Sequence, residues 1–408
     1  MESRKLSSIF VTLTLIVAIA FLFFQYNYHL GNLKYRIIQP GIWSKVHNRN
    51  VKANKSIVIL EPHRRRLILI YTNLFGNREW YHLPKSEAPK FADRCEYKNC
   101  EVTYDQNKFT ESDAVVFHAR DMPSSQFLHD FSSKSRPSRQ RWAYFISENP
   151  INTPDRTPLN GLFNFTMTYK KESDVWLPYK QYHKLTPAES KPAIINYAEE
   201  KNKVPDRKLV MWISSHCGTL RDQYAKKLQE FVPIRVAGGC AHQFKLPFHN
   251  CNQGGREACF RHIKEHKFYL SFENAFCDQY VTEKYWYNAL EMGSVPIVLG
   301  AGPYNDPKVA IPGSFINVED FATVKDLADY LIYLDKNDTA YNEYFKWKET
   351  YKLTDELGWP FPDIFTCDLC KLLHTDATVK VYDRLSDFWS GNDCVGKDNK
   401  VKSILSKS

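Results

Sequence analysis

The stretch Phe268–Gly300, FYLSFENAFCDQYVTEKYWYNALEMGSVPIVLG, decides how the chain is read. Its ends, FYLSF and VPIVLG, are short continuous apolar runs of the kind that form fully buried strands, and TEKYWYNALEMG between them reads as a helix. Thr282 stands where a helix cap is expected and Gly293 where a helix stops. Strand, helix and strand in succession predict parallel pairing with the helix packed across the sheet. A bare crossover does not need the polar cluster Glu273, Asn274, Glu283 and Lys284, because turns are made from Gly, Pro, Asn and Asp. In open α/β sheets ligands lie outside the carboxyl ends of the strands, against helix N-termini. Lys284 in the first turn opposes the helix dipole, and a bound anion would relieve that conflict. Glu283 beside it can accept hydrogen bonds from ribose hydroxyls, so a nucleoside phosphate meets both needs; the plain alternative is a solvated Glu-Lys pair.

The same alternation runs outward on both sides. LILIY, AVVFH, WAYFI, KLVMWISS, IRVAG and SFINV read as strands, RDQYAKKLQEF and VKDLADYLIYL as helices, with Val324, Leu327, Leu331 and Leu334 on one face of the latter. At 408 residues the chain exceeds what one core usually organises. The expected body is therefore two Rossmann-like α/β lobes with a cleft between them: residues 67–185, a polar linker at 186–207, and 208–350. A C-terminal extension at 351–408 carries the CxxC pair Cys367 and Cys370.

Net charge is +9, but residues 1–66 hold 11 Lys and Arg against two Glu, leaving 44 bases and 44 acids in the rest. The body is thus neutral, which removes nucleic acid as an expected partner. From Leu6 to Leu33 no charged residue occurs. That run predicts a short cytoplasmic tail at 1–7, a transmembrane signal-anchor helix at 8–28 and a stem at 29–66; the alternative is a signal peptide cleaved after Ala18-Ile19-Ala20. Ten cysteines and sequons at Asn54, Asn164 and Asn337 favour an oxidising, glycosylating compartment. Disulfides are expected over a zinc site at Cys367 and Cys370, since no second CxxC exists, and spacing does not fix their pairing.

A second polar break lies in the first lobe, in RWAYFISENP. Glu148 follows an apolar strand and precedes the turn signal Asn149-Pro150, which puts its carboxylate at a strand end as a candidate general base or as a solvated loop acid. His118 and Arg120, ending AVVFHAR, are open to the same two readings.

These blocks resemble the eukaryotic α1,3-fucosyltransferases of glycosyltransferase family 10. The stretch quoted first is similar to that family's donor-binding signature, and SDAVVFHARDM, RQRWAYFISENPINT, NFTMTYKKESDVWLPY and KLVMWISSHCGTLRDQYAKKL resemble its other blocks in the same order, from about Leu67 to Cys394. Cys240, Cys251, Cys259 and the wording SHC look most like invertebrate, nematode-type members. The resemblance implies a GT-B fold whose N-terminal lobe takes the acceptor and whose C-terminal lobe takes GDP-fucose. It implies inverting transfer to a GlcNAc hydroxyl of an N-glycan, in its core or in an antenna, by a single-pass type II protein of the Golgi membrane. Glu148 matches the family's base; Tyr269 would stack on guanine; Asn274, Tyr280, Glu283 and Lys284 would hold ribose and diphosphate; Ser215 and Arg221 match phosphate contacts, although the Ser-His-Cys block has a shorter gap than is usual. His118 and Arg120 remain acceptor-side candidates. No Asp-x-Asp occurs, so no obligatory metal is expected, with Mn or Mg left open as a stimulant. Another lumenal nucleotide-sugar transferase, or a non-catalytic glycan-binding relative, are the alternatives.

Overall fold

Two parallel sheets organise the molecule. The first is made of β1 Arg66–Ile70, β2 Cys100–Thr103, β3 Ala114–His118, β4 Arg141–Ile146, β5 Phe165–Thr168 and β6 Val175–Trp176, in the order β2-β1-β3-β4-β5-β6. The second is made of β7 Val210–Ile213, β8 Ile234–Ala237, β9 Phe268–Phe272, β10 Val295–Leu299 and β11 Ile316–Asn317, in the order β8-β7-β9-β10-β11. Counted within each sheet, both orders start 2-1-3-4-5, the doubly wound pattern whose winding reverses between the first and third strands. The expected pair of parallel α/β sheets is therefore present. The ends of the opening stretch are neighbouring parallel strands, with Phe268 opposite Val295.

This computed structural model describes residues 51–57, 63–78, 80, 95–189, 195–205, 209–244, 255–354 and 362–408. The expected tail, the anchor and most of the stem lie outside them, and among the described residues no helix is long and apolar enough to cross a membrane.

The strands read as apolar runs because both of their faces are covered. Leu69, Val115, Phe117, Trp142, Tyr144 and Ile146 pack on one side of the first sheet, and Ile68, Ile70, Ala114, Val116, Ala143 and Phe145 on the other, as the two-residue period requires. The second side is closed from the far end of the chain. Helix α1, Pro362–Thr375, lays Leu369, Cys370 and Leu373 against it, and its i,i+3 cysteines form the disulfides Cys95–Cys367 and Cys100–Cys370. Residues 362–408 are thus not an appendage: they complete the first lobe, and then helix α2, Asn399–Ser406, crosses to bury Val401 and Ile404 in the core of the second.

Two more sequence expectations change. Part of the stem, Val51–Ile57, is a strand paired antiparallel with Thr378–Tyr382. The linker region is not a plain tether, because Tyr182–Lys184 just before it pairs with Tyr351–Leu353 and Tyr197–Asn202 within it is helical. Of the sequons, Asn54 lies on the stem strand, and Asn337 bridges two helices, accepting from Ala340 N at 3.0 Å and donating to the Tyr333 hydroxyl at 3.0 Å. Asn164 is 1 % exposed, with Nδ2 donating to Lys380 O at 2.7 Å and Oδ1 accepting from Trp142 N at 2.8 Å. So placed, its amide leaves no room for a glycan.

Candidate active site

A cavity of about 490 Å³ opens at the carboxyl ends of both sheets. Phe75 reaches it from beyond β1, Glu148 from beyond β4, Ile213 from the end of β7 and Asn274 from beyond β9. β1 and β7 are the first strands and β9 the third of their sheets, so the cavity lies at the winding reversal, where doubly wound folds place ligands.

Glu148 projects two residues past β4, and its two oxygens are in different surroundings. Oε1 accepts from Asn149 N at 3.1 Å, Asn149 Nδ2 at 2.7 Å and the Tyr280 hydroxyl at 2.7 Å, with Asn274 Nδ2 at 3.5 Å. Oε2 has no hydrogen-bond partner among the described residues, and the Arg120 guanidinium stands 4.0 Å from it. Tyr280 and Asn274 belong to the second lobe, so the lobes meet on this carboxylate instead of facing it across open space.

The polar cluster Glu273, Asn274, Glu283 and Lys284 divides in two. Glu273, directly after β9, is fully buried; it accepts from Thr282 N at 2.8 Å and from the Thr282 hydroxyl at 2.8 and 3.0 Å, and lies 3.2 Å from Lys284 Nζ. This closes the loop 273–282 on itself. The expected Thr282 cap is not formed in the usual way, because its hydroxyl is engaged by Glu273 and by Lys284 Nζ at 2.9 Å. The helix that follows, Lys284–Glu291, is of π type and has no side-chain cap. Gly293 ends it with φ +68°, as expected of a stop.

Lys284 does not carry an unrelieved charge, since Glu283 lies 2.9 Å away and Glu273 3.2 Å. Burial alone would push its pKa down, but the two carboxylates outweigh burial and raise it. Burial raises the Glu273 carboxyl, with Lys284 opposing. For Glu283, burial is outweighed by Lys284 and the value falls. Its side chain is 39 % exposed and lines the cavity, so it is the partner with room to turn.

The other predicted residues separate. Asn274, Tyr280, Glu283 and Lys284 line the cavity with Glu148, and Arg120 flanks it. Tyr269 is 0 % exposed within β9, its hydroxyl accepts from Asn288 Nδ2 at 3.0 Å, and burial pushes its pKa up to about 12; no face is available to stack on a base. Asn288 lines the cavity instead. Arg221 is buried, donating to Phe272 O at 2.8 Å, His216 O at 2.9 Å and the Ser214 hydroxyl at 3.1 Å; it braces the ends of β7 and β9 and does not reach the cavity. Ser215 is exposed and accepts from Gly239 N at 3.1 Å, in a loop held by the Cys217–Cys240 disulfide. His118 is 1 % exposed and 2.5 Å from the Asp121 carboxylate; burial lowers its pKa against the pull of Asp121, and it does not face the cavity.

Several wall residues escaped the sequence reading: Phe75, Tyr179, Phe260 and Asn288. Asn288 was findable, lying one helical turn from Lys284. Phe75 was not, because it sits at the tip of a short turn with φ +48° and is held by Asp121, which accepts from Phe75 N at 2.8 Å and Gly76 N at 2.9 Å. As for metal ligands, the described residues bring together Cys100, Cys370 and His374, and those two sulfurs are bonded to each other. The arrangement offers one carboxylate oxygen without a hydrogen-bond partner among the described residues and, in the same cavity, an ammonium with a part-exposed counter-charge.

Known proteins match this chain in sequence along most of the body. Residues 63–180 match the model of "Fucosyltransferase, N-terminal", and residues 203–389 that of "Glycosyltransferase family 10 (fucosyltransferase) C-term". Glycoprotein 3-alpha-L-fucosyltransferase A of Drosophila melanogaster is 32% identical over 80% of this chain and 60% of its own length. The human 4-galactosyl-N-acetylglucosaminide 3-alpha-L-fucosyltransferase FUT5 is 34% identical over 71% of this chain and 72% of its own. A solved α1,3-fucosyltransferase with GDP-fucose is similar at a TM-score of 0.46 and 18% identity, over 81% of this chain and 95% of that one. With both family models matched in order and the human relative covered over more than two thirds of its length, the chain belongs to glycosyltransferase family 10, the fucosyltransferases.

Proposed function

We propose that this protein transfers L-fucose from GDP-β-L-fucose to a GlcNAc hydroxyl of an N-glycan, with inversion to an α-linkage. The observation that carries the reading is Glu148, which lines one cavity with Asn274, Glu283 and Lys284 and whose Oε2 has no hydrogen-bond partner among the described residues. Inversion at one carbon needs one base and a stabilised leaving group, and these residues supply both. Glu148 takes the proton of the acceptor hydroxyl as its oxygen bonds to the anomeric carbon, and the bond to phosphate breaks with its electron pair leaving on GDP. Glu283 turns to the ribose hydroxyls, which frees the Lys284 ammonium for the diphosphate. No step is assigned to a divalent ion, which stays at most a stimulant. The name of the fly relative, a glycoprotein 3-fucosyltransferase, supports a glycoprotein acceptor. The disulfides support a lumenal body, which we place at the Golgi membrane behind the anchor read at 8–28.

Radiolabelled GDP-fucose with a defined panel of core and antennal glycans tests this directly. Glu148→Gln keeps the size of the side chain but cannot take the proton, so transfer should fall by about 10² to 10⁴. GDP affinity, measured by calorimetry, should stay within a few-fold. Near-normal transfer by the Gln variant, or a wild type that turns over no GDP-fucose on any GlcNAc glycan, would overturn the proposal.

A further inference from the structure

Glu148 is preceded by a strand and followed by Asn149, which the sequence shows only as half of a turn signal. In the structure that side chain is 0 % exposed and has three partners. Its Oδ1 accepts from Asn152 N at 3.0 Å, capping the turn Pro150–Asn152. Its Nδ2 donates to Glu148 Oε1 at 2.7 Å and to Asn274 Oδ1 at 3.1 Å. The amide orientation follows from these contacts: the other way round, a carbonyl oxygen would face a carboxylate and an NH₂ would face an N–H. With its own backbone N–H 3.1 Å from the same oxygen, Asn149 supplies two of the three close donors on Oε1.

We propose that Asn149 is a positioning residue: by holding Oε1 of Glu148 against the protein, it leaves Oε2 as the oxygen that receives the acceptor's proton. The inference rests on the reading of Glu148 as the base. Because Nδ2 also holds Asn274, one buried amide ties that base to the donor-side wall, so the position of the proton acceptor is set relative to both lobes at once. The charged and titratable groups around the carboxylate are Tyr280 on Oε1, Arg120 at 4.0 Å from Oε2, and Tyr179, Glu283 and Lys284 in the shared cavity wall, with Tyr169 buried behind Tyr280 at a ring distance of 5.1 Å. None of them bonds to the Asn149 side chain, whose partners are Glu148, Asn274 and Asn152.

Asn149→Asp separates this role from that of a helix cap, because Asp caps as well as Asn and has nearly the same shape. It replaces the donor on Oε1 with a second carboxylate, and two carboxylates in contact share a proton. The acidic limb of the kcat/KM profile for transfer should move up by at least about one pH unit, so that transfer well below the limb falls by about tenfold, the deficit narrowing as pH rises and GDP affinity held within about threefold. A limb within about 0.3 unit of wild type, with unchanged rate, would leave Asn149 only its cap and overturn the inference. Should the Asp variant fail to fold, Asn149→Ser keeps a capping hydroxyl and removes Nδ2; transfer equal to wild type at every pH then overturns it. Carbon-13 NMR titration of the Glu148 carboxyl in wild type and variant needs no turnover, so it also reads Asn149 if the wild type proves inactive, an outcome that counts against the proposed activity alone. A Glu148 midpoint unmoved by Asn149→Asp would refute the positioning role.

Discussion

Lys284 shows how one side chain couples stability to binding. Lys284→Ala leaves Glu273 buried without its cation, and breaking such a pair from one side costs roughly 3 kcal/mol, less whatever Glu273 recovers by taking up a proton. On the proposed function the same change also removes charge-assisted bonds to the diphosphate of GDP, worth roughly 1.5 to 3 kcal/mol, so GDP affinity should drop by at least about tenfold. Adding Glu273→Gln should restore most of the thermal stability and none of the affinity; a double variant as unstable as the single one would show that the pair is not what links them. At this scale the sequence was legible where a polar residue interrupts an apolar pattern, as at Glu148 and Asn274. It was not legible within β9, where all five side chains are buried and residue type does not say which way Tyr269 points. Arg221, matched to a phosphate contact through the resemblance alone and in a block with a shorter gap, donates to backbone carbonyls instead, and only its direction in space tells the two apart.

The elements around the cavity are held by contacts that no local pattern announces. Loop 273–282 is pinned by the Glu273–Thr282 bonds, by the Cys277–Cys394 disulfide and by Gln279, at φ +61°, whose Oε1 accepts from Lys171 N at 2.9 Å. Gly302 packs beneath it so closely that a Cβ there would lie 2.4 Å from Val281 Cγ2. Gly302→Ala should therefore shift the loop, costing about 1–3 kcal/mol and weakening GDP binding severalfold. Val281→Ala in the same chain should recover both, as double-mutant cycles of binding and melting can establish; a full-strength Gly302→Ala variant would show that the loop yields freely. Periodicity revealed strand, helix and strand here because burial imposes it. Of the loop clamps, the Glu273–Thr282 bonds lie within the stretch, whereas Cys394 and Lys171 lie far along the chain, so nothing within the stretch itself reveals those two.

Across the whole molecule, pH acts through a group far from the cavity wall. His266 is 1 % exposed; its Nδ1 donates to His262 O at 2.6 Å, its Nε2 has no partner, and burial pushes its pKa down to about 4. Protonation is then easier in the unfolded chain, whose histidine titrates near 6.5. Its contribution is complete above about pH 6.5 and is lost as pH falls toward 4, roughly 3 kcal/mol in all. The drop in melting temperature from pH 7.5 to pH 5 should be smaller in His266→Gln than in wild type; equal drops would exclude His266 as the source. The crossing of residues 362–408 from first lobe to second has a consequence for the order of synthesis. Cys95 and Cys100 leave the ribosome some 270 residues before Cys367 and Cys370, as the sequence separations of 272 and 270 record. The first lobe is therefore translated early and finished late: its sheet waits with one side uncovered, and its thiols with no correct mate, until the helix that carries Cys367 and Cys370 has been made.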